Sequence, residues 1–194
     1  MNFEYAEGAT PLSDEEAEGL LLSHISTRAE LDRWEQEGIM AAEAKIFARK
    51  PKGILTESFI LRLHDLMFGG IWKWAGTQRK SDKNIGGAWW GVAAALRDLS
   101  ADVQMWVDNG TFPPDEIAVR LHHRLVAIHY FPNGNGRHAR LMADLVLVHL
   151  LGQPVFTWGG ENLVNRGDCR KRYIEALRAA DRKDYAPLLA FVRS

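Results

Sequence analysis

At 194 residues the chain has the length of one domain, with at most a small appended lobe. Hydrophobic residues make up 46% and charged residues 25%, enough apolar mass for a packed core and unlike a disordered tail. The formal net charge of -1 gives no overall attraction for a nucleic-acid backbone, and the single cysteine, Cys169, excludes an intrachain disulfide.

The amino terminus, MNFEYAEGATPLSDEEAEGL, is acidic and lacks the charged-then-apolar order of a signal peptide. Residues 1 to about 22 read as an irregular lead-in, with a turn at Thr10-Pro11-Leu12-Ser13 and Ser13 capping a short acidic helix from Asp14. Thr27 followed by Glu30 is a capping-box pattern. It predicts a helix through Leu31, Trp34, Glu35 and Ile39 to Ala44, weakened by Gly38 and closed by Pro51-Lys52-Gly53. Thr56 and Glu57 open another, with Phe59, Ile60, Leu63, Leu66 and Met67 on its apolar side. Phe68-Gly69-Gly70 breaks it, and the aromatic stretch Ile71 to Gly76 reads as core packing.

Between Arg79 and Val92 helical periodicity disappears, and the polar residues, Gly86-Gly87 and the two tryptophans predict an irregular hairpin or flap. Trp89 and Trp90 are expected to tuck onto the core. Residues 93 to 108 return to helix through Leu96, Leu99, Val103, Met105 and Trp106, ended by Asn109-Gly110. Pro113-Pro114-Asp115 starts the next helix, whose apolar positions lead to His129. Leu141 to Leu151 is apolar almost all round, as for a helix in the middle of a bundle. It is also too short to span a bilayer and contains Asp144 and His149, so a cytoplasmic protein is the simplest expectation. A helix from about Gly167 and a short one carrying Leu188, Leu189, Phe191 and Val192 complete an all-α fold with one small β-hairpin.

The chemistry concentrates in His129 to Arg140, HYFPNGNGRHAR, between two of these helices. The glycines of Asn133-Gly134-Asn135-Gly136 permit a tight turn whose backbone N–H groups form an anion nest at a helix N-terminus, with Asn135 as a plausible N-cap. Arg137 and Arg140 lie three apart on the helix that follows, so both face the same anion, and their forked donors suit phosphate. His129, with an ordinary pKa of about 6.5, is a candidate proton acceptor.

This stretch resembles the signature of the Fic (filamentation-induced-by-cAMP) family, His-Pro-Phe-x-acid-Gly-Asn-Gly-Arg-x-x-Arg. His129, Phe131, Gly134, Asn135, Gly136, Arg137 and Arg140 fall in register. Trp74-Ala75-Gly76 with Arg79 upstream, and Tyr173 to Leu177 with Asp184-Tyr185 downstream, are also similar to the family. Thr10-Pro11-Leu12 and the wording PNGNGRHARLMADL resemble a bacterial subgroup called mobile mystery protein B. The resemblance implies a Fic-like helical bundle over residues 55–194, preceded by a lead-in and helical extension over residues 1–54.

It also implies ATP-dependent transfer of AMP to a Ser, Thr or Tyr hydroxyl of a target protein. His129 would be the base and Arg137 would neutralise developing charge. Gly134, Asn135 and Gly136 would cradle the phosphates, Arg140 would engage the γ-phosphate, and Phe131 would anchor the loop. Lys83, Asn84, Ile85 and Gly86 of the flap would hold the target's backbone as an added strand. The family's cation is Mg²⁺ (or Mn²⁺), bound through an acidic residue where this chain has Asn133, a neutral and weaker ligand. Tyr130 replaces the pattern's proline, and Gly136 is retained where variants that transfer a terminal phosphate carry lysine.

Many relatives are restrained by a helix bearing Ser/Thr-x-x-x-Glu-Gly/Asn, or by a separate antitoxin-like partner. Ser26–Glu30 and Glu37-Gly38 are near misses, and Thr157 to Glu161-Asn162 is a full match that reads as chance within a loop. Two other classes compete with the enzyme. A metal hydrolase built on His122, His123, His129 and His138 lacks the H-E-x-x-H spacing, so His122 and His123 are expected to be surface or packing residues. A weakened module that binds nucleotide or protein without catalysis is the alternative that Asn133 raises, alongside transfer of another phosphate-containing group.

Overall fold

In a computed structural model, residues 10–160, 163 and 167–194 are described. They contain α1 (Asp14–Ala17), α2 (Arg28–Phe47), α3 (Glu57–Phe68), α4 (Val92–Asn109), α5 (Pro114–Ile128), α6 (Asn135–His149), α7 (Asp168–Asp181) and α8 (Ala186–Val192). The helix starts follow the predicted caps. The Thr27 hydroxyl accepts from the Glu30 N–H at 3.2 Å while the Glu30 carboxylate accepts from the Thr27 N–H at 3.0 Å. Ser13 and Glu16 repeat that reciprocal pair around α1.

α5 and α6 form the central antiparallel pair, with α4 beside α5, α2 against α3, and α7 against α8. One apolar core runs from Ile25, Leu31 and Ile39 through Ile60 and Leu63 to Met142 and Leu145, so the amino-terminal extension shares the core of the helices after it. A second cluster joins α7 and α8 to Val119, Ala143 and Leu147 on the central pair. No described helix is long and apolar enough to cross a membrane.

Gly38 has a use the periodicity did not suggest. A Cβ there would sit 2.4 Å from the Met67 carbonyl oxygen, so its absence lets α2 lie close against α3. That approach brings α2 within reach of the turn between α5 and α6.

The hairpin expected at residues 79–92 does not form. The segment is an irregular loop ending in a single 3₁₀ turn, Trp89–Gly91, with no strand among its residues. Its carbonyls are taken up by Arg79, which donates through Nη1 to Ser81 O at 2.7 Å and through Nη2 to Gly87 O. Cross-strand pairing is thereby replaced by one buried guanidinium. Trp89 and Trp90 are not tucked in either: they are 41% and 74% exposed. Met105, predicted on the apolar side of α4, is 50% exposed. The Thr157 to Asn162 match ends on Glu161 and Asn162, which lie outside the described residues, as do residues 1–9 of the acidic lead-in.

Candidate active site around the α5–α6 turn

α5 ends at His129, whose backbone is left-handed (φ 53°, ψ 58°) and turns the chain out of the helix. The ring is buried, and Nδ1 lies 3.3 Å from the Val126 carbonyl. That contact places the ring proton on Nδ1 and leaves Nε2 as the acceptor. Nε2 is 2.9 Å from the hydroxyl of Thr10, which therefore donates to it. Burial lowers the His129 pKa to about 4, reinforced by the nearby charges of Arg79 and Lys83 and opposed by the Val126 contact. The imidazole is neutral at physiological pH, as a proton acceptor must be.

The turn after it is closed by side chains. Asn135 is the first residue of α6 rather than its cap: its Oδ1 accepts from the Phe131 N–H at 2.9 Å and its Nδ2 donates to the Phe131 carbonyl at 2.8 Å. The side chain thus staples the turn. Gly134 precedes the helix with φ 78°, and a Cβ there would meet Phe68 Cε2 at 2.8 Å. Both the backbone angle and the space call for glycine. No side chain caps α6, so its first N–H groups, which lack intrahelical acceptors, are available to an anion. At Gly136 the nearest atoms to an added Cβ are Arg140 Nη1 and Tyr173 Oη, both 3.9 Å away, leaving room beside the arginine.

Phe131 anchors the turn, buried and stacked on the His64 ring at a centroid distance of 3.7 Å. His64 accepts from the Gly76 N–H at Nδ1 and donates from Nε2 to the Asn133 carbonyl, both at 3.0 Å. Arg79 Nε donates to the His129 carbonyl at 2.7 Å, and the Arg79 N–H donates to the Tyr130 carbonyl at 3.0 Å. The left-handed junction is therefore held from both sides.

Arg137 and Arg140, expected to face one anion, have different partners. Arg137 Nη1 donates to Glu35 Oε2 at 2.6 Å, and its guanidinium lies 5.0 Å from the Phe68 ring centre. Glu35 is 3% exposed and also accepts from Trp72 Nε1 at 2.8 Å. Arg140 hydrogen-bonds the Tyr173 hydroxyl, which is 3.0 Å from His122 Nε2. His122 and His123 are thus packing residues, the latter paired with Asp181 at 2.8 Å.

Replacing Glu35 with alanine strands a half-buried cation and a buried indole N–H. Loss of a buried charge partner destabilises by about 3–5 kcal/mol, which urea denaturation of Glu35→Ala will show. Glu35→Gln, which keeps an acceptor for Trp72, will fall between this variant and the unmodified chain.

Asn133 is engaged at both ends of its amide: Nδ2 donates to the Thr10 carbonyl at 2.8 Å and Oδ1 accepts from the Gly134 N–H at 2.7 Å. Among the described residues no three His, Cys, Asp or Glu side chains are disposed to hold a metal ion. These donors do not fit a cation resident on the chain. In the flap, Lys83 is paired with Glu16 of α1, while Ile85 is half-buried and Gly86 exposed.

Thr10, Glu35 and His64 are the site residues that sequence reasoning missed. Glu35 and His64 did carry a signal, since each stands within an apolar helical stripe: Leu31, Glu35, Ile39, Ala42, Ile46, and Phe59, Ile60, Leu63, His64, Met67. A polar group in such a stripe calls for a buried partner. Thr10 carried no local signal, because its partner is 119 residues away.

Residues 54–147 match the sequence model of the Fic/DOC family. Among curated proteins, the chain is 27% identical over 142 residues to a protein adenylyltransferase Fic of Aedes aegypti, covering 71% of this chain and 27% of that protein. It is 37% identical over 79 residues to one of Nematostella vectensis, covering 41% of this chain and 17% of that one. The chain therefore spans about a quarter or less of these relatives' length. Among solved structures, BepC of Bartonella tribocorum with bound AMPPNP superposes with a TM-score of 0.71 at 14% identity, covering 93% of this chain and 97% of that one. Fic-1 of C. elegans gives 0.65 at 24%, covering 91% and 51%. At these identities the structural likeness establishes the fold.

Proposed function

Because residues 54–147 belong to the Fic/DOC family, we propose that this chain is a protein adenylyltransferase, moving AMP from ATP to a Ser, Thr or Tyr hydroxyl of a protein. The observation that carries this reading is the pairing of a hydroxyl with a base. His129, neutral and in the Nδ1–H tautomer, accepts a hydrogen bond from an alcohol at 2.9 Å beside an uncapped helix N-terminus. The names of the curated relatives support the same activity, and the AMPPNP bound in BepC supports ATP as the nucleotide.

In this mechanism the acceptor hydroxyl loses its proton to His129 Nε2 and its oxygen attacks the α-phosphorus, while pyrophosphate leaves. Such transfers depend chiefly on positioning and on stabilising developing charge. The N–H groups of Asn135 and Gly136 receive the phosphates at the positive end of α6, while Gly134, whose own N–H is taken by Asn133 Oδ1, supplies the tight turn. Arg137 neutralises developing charge with the donors of its fork that Glu35 does not use. Arg140, oriented by Tyr173, engages the γ-phosphate. No step is assigned to a protein-bound metal, since Asn133 is committed to Thr10 and Gly134. The flap at Lys83 to Gly86 is the docking edge for the target's backbone.

Incubating the chain and a bacterial lysate with ATP labelled at the α-phosphate, with Mg²⁺ or Mn²⁺ supplied, tests the reading. Label on a lysate protein is expected. ATP binding without transfer to any protein would replace the enzyme by a nucleotide-binding module. Arg140→Ala will weaken ATP binding by roughly 1.5–3 kcal/mol, the worth of a hydrogen bond to a charged group. Calorimetry giving unchanged affinity would remove Arg140 from the γ-phosphate.

A further inference from the structure

The flap leaves two tryptophans in solvent, and one of them walls a cavity beside the candidate base. We propose that this cavity seats a bulky apolar side chain of the target protein, from a residue close in sequence to the acceptor hydroxyl; this rests on the adenylyl-transfer activity proposed above.

The cavity has a volume of about 350 Å³ and lies between the end of the flap and helices α4 and α5. Gly87 and Trp90 form its flap side, and Val92, Ala95, Ala127 and Ile128 its helical side. Arg124 is the one charged residue of the lining, and its guanidinium is already paired with Asp102 and set 5.8 Å from the Trp106 ring centre. With that charge neutralised, the lining offers apolar surface rather than a place for an anion.

Trp90 is 74% exposed, yet the turn that carries it is pinned. The Trp89 N–H donates to Asp82 Oδ1 and the Trp89 carbonyl accepts from Gln78 Nε2, both at 2.8 Å. The Gly91 N–H donates to the Ala88 carbonyl at 3.0 Å, and Arg79 holds the Gly87 carbonyl. A large apolar ring displayed on a fixed backbone is the kind of residue that dominates the energy of protein contacts.

The cavity adjoins the base along two chain segments. Gly86 lies so close that a Cβ on it would stand 2.9 Å from His129 Cβ, and the next residue, Gly87, lines the cavity. Ile128 lines it from α5, and His129 follows directly. Thr10 Oγ1, 2.9 Å from His129 Nε2, marks where an acceptor oxygen stands. An extended chain advances about 3.3 Å per residue, so a target strand with its hydroxyl at Nε2 reaches the cavity with a side chain about two to four positions away. Main-chain pairing along an edge is indifferent to sequence, whereas a side-chain cavity beside it discriminates.

The test gives the full chain α-labelled ATP, Mg²⁺ and a set of alanine- and lysine-based peptides. Each carries one Ser, Thr or Tyr, with a Phe moved through the neighbouring positions on either side. A Phe at one of these positions is expected to raise kcat/KM by about 10–100-fold over the Phe-free peptide, the worth of burying one large apolar side chain. Ala127→Trp, which fills the cavity from an exposed position on α5, will remove that preference, and Trp90→Ala will reduce it without changing ATP affinity. Labelled peptides with no Phe preference, or a preference that survives Ala127→Trp, would overturn the assignment and leave the transferase standing. Weaker ATP binding by a folded Trp90→Ala variant would give the cavity to the nucleotide and overturn it as well. If no peptide takes label, fluorescence anisotropy of the dye-tagged Phe peptide decides. Binding that Ala127→Trp abolishes upholds the cavity and its absence overturns it, while labelling of lysate proteins judges the transferase separately.

Discussion

His129→Ala will slow AMP transfer by about 10²–10⁴-fold, the usual contribution of a positioned base, while ATP binding persists. The ring makes its two described hydrogen bonds through Nδ1 to Val126 and Nε2 to Thr10, neither of them to the phosphate turn. Removing it therefore leaves Gly134, Arg137 and Arg140 in place. The pH profile discriminates a base from a packing residue. With a pKa lowered to about 4 by burial, His129 is unprotonated in the free protein throughout the neutral range, so kcat/KM is flat there. Bound polyphosphate brings negative charge beside the ring, favours the imidazolium and raises this pKa. The acid limb of kcat, which reports the ATP complex, will therefore lie at higher pH than that of kcat/KM. Coincident limbs, or a His129→Ala variant transferring at the unmodified rate, would remove the base role.

How much of this was legible in the chain depends on the reach of each interaction. Thr27, Glu30, Pro114 and Gly110 set helix ends through contacts within a few residues, and those boundaries follow from the sequence. The HYFPNGNGRHAR stretch is local as well: its histidine ends α5, its glycines make the turn, and its arginines stand on α6 with separate partners. The flap was misread because the partner of its carbonyls is one arginine side chain, and alternation in sequence says nothing of that. Its tryptophans were misplaced for a related reason: without a sheet face to pack on, Trp90 stays in solvent. Glu35 was visible as a misfit in an apolar stripe, but its partner, 102 residues on, was not. Of the glutamates in the restraining-helix near misses, Glu30 caps α2. Thr10 lay beyond any local argument.

The same burial that keeps His129 neutral makes the fold sensitive to acid. His64, His122, His129 and His138 are all buried, and desolvation lowers each pKa: to about 3 for His122, about 4 for His129 and His138, and well below the ordinary value for His64. Unfolding returns each to about 6.5. Between the folded and unfolded values the unfolded chain binds more protons, so stability rises with pH across that window and is lost as pH falls below about 6.5. Each histidine contributes up to about 1.4 kcal/mol per pH unit, at most roughly 5.5 kcal/mol per unit for the four together. Asp144 opposes this, because burial raises its pKa from 3.8 to about 6 and makes the folded chain the better proton binder there; half-buried Glu43 shifts in the same sense. The net slope is then about 3–4 kcal/mol per unit, against a typical total stability of about 5–15 kcal/mol. The protein will be most stable near pH 7 and markedly weaker at pH 5, as urea titrations at stepped pH will show. His138→Gln keeps a donor for the Ile60 carbonyl and removes one titrating ring, so its slope will be shallower by one proton. Equal unfolding midpoints at pH 7 and pH 5 would mean that these rings are not held neutral, and the argument for His129 as an unprotonated base would fall with them.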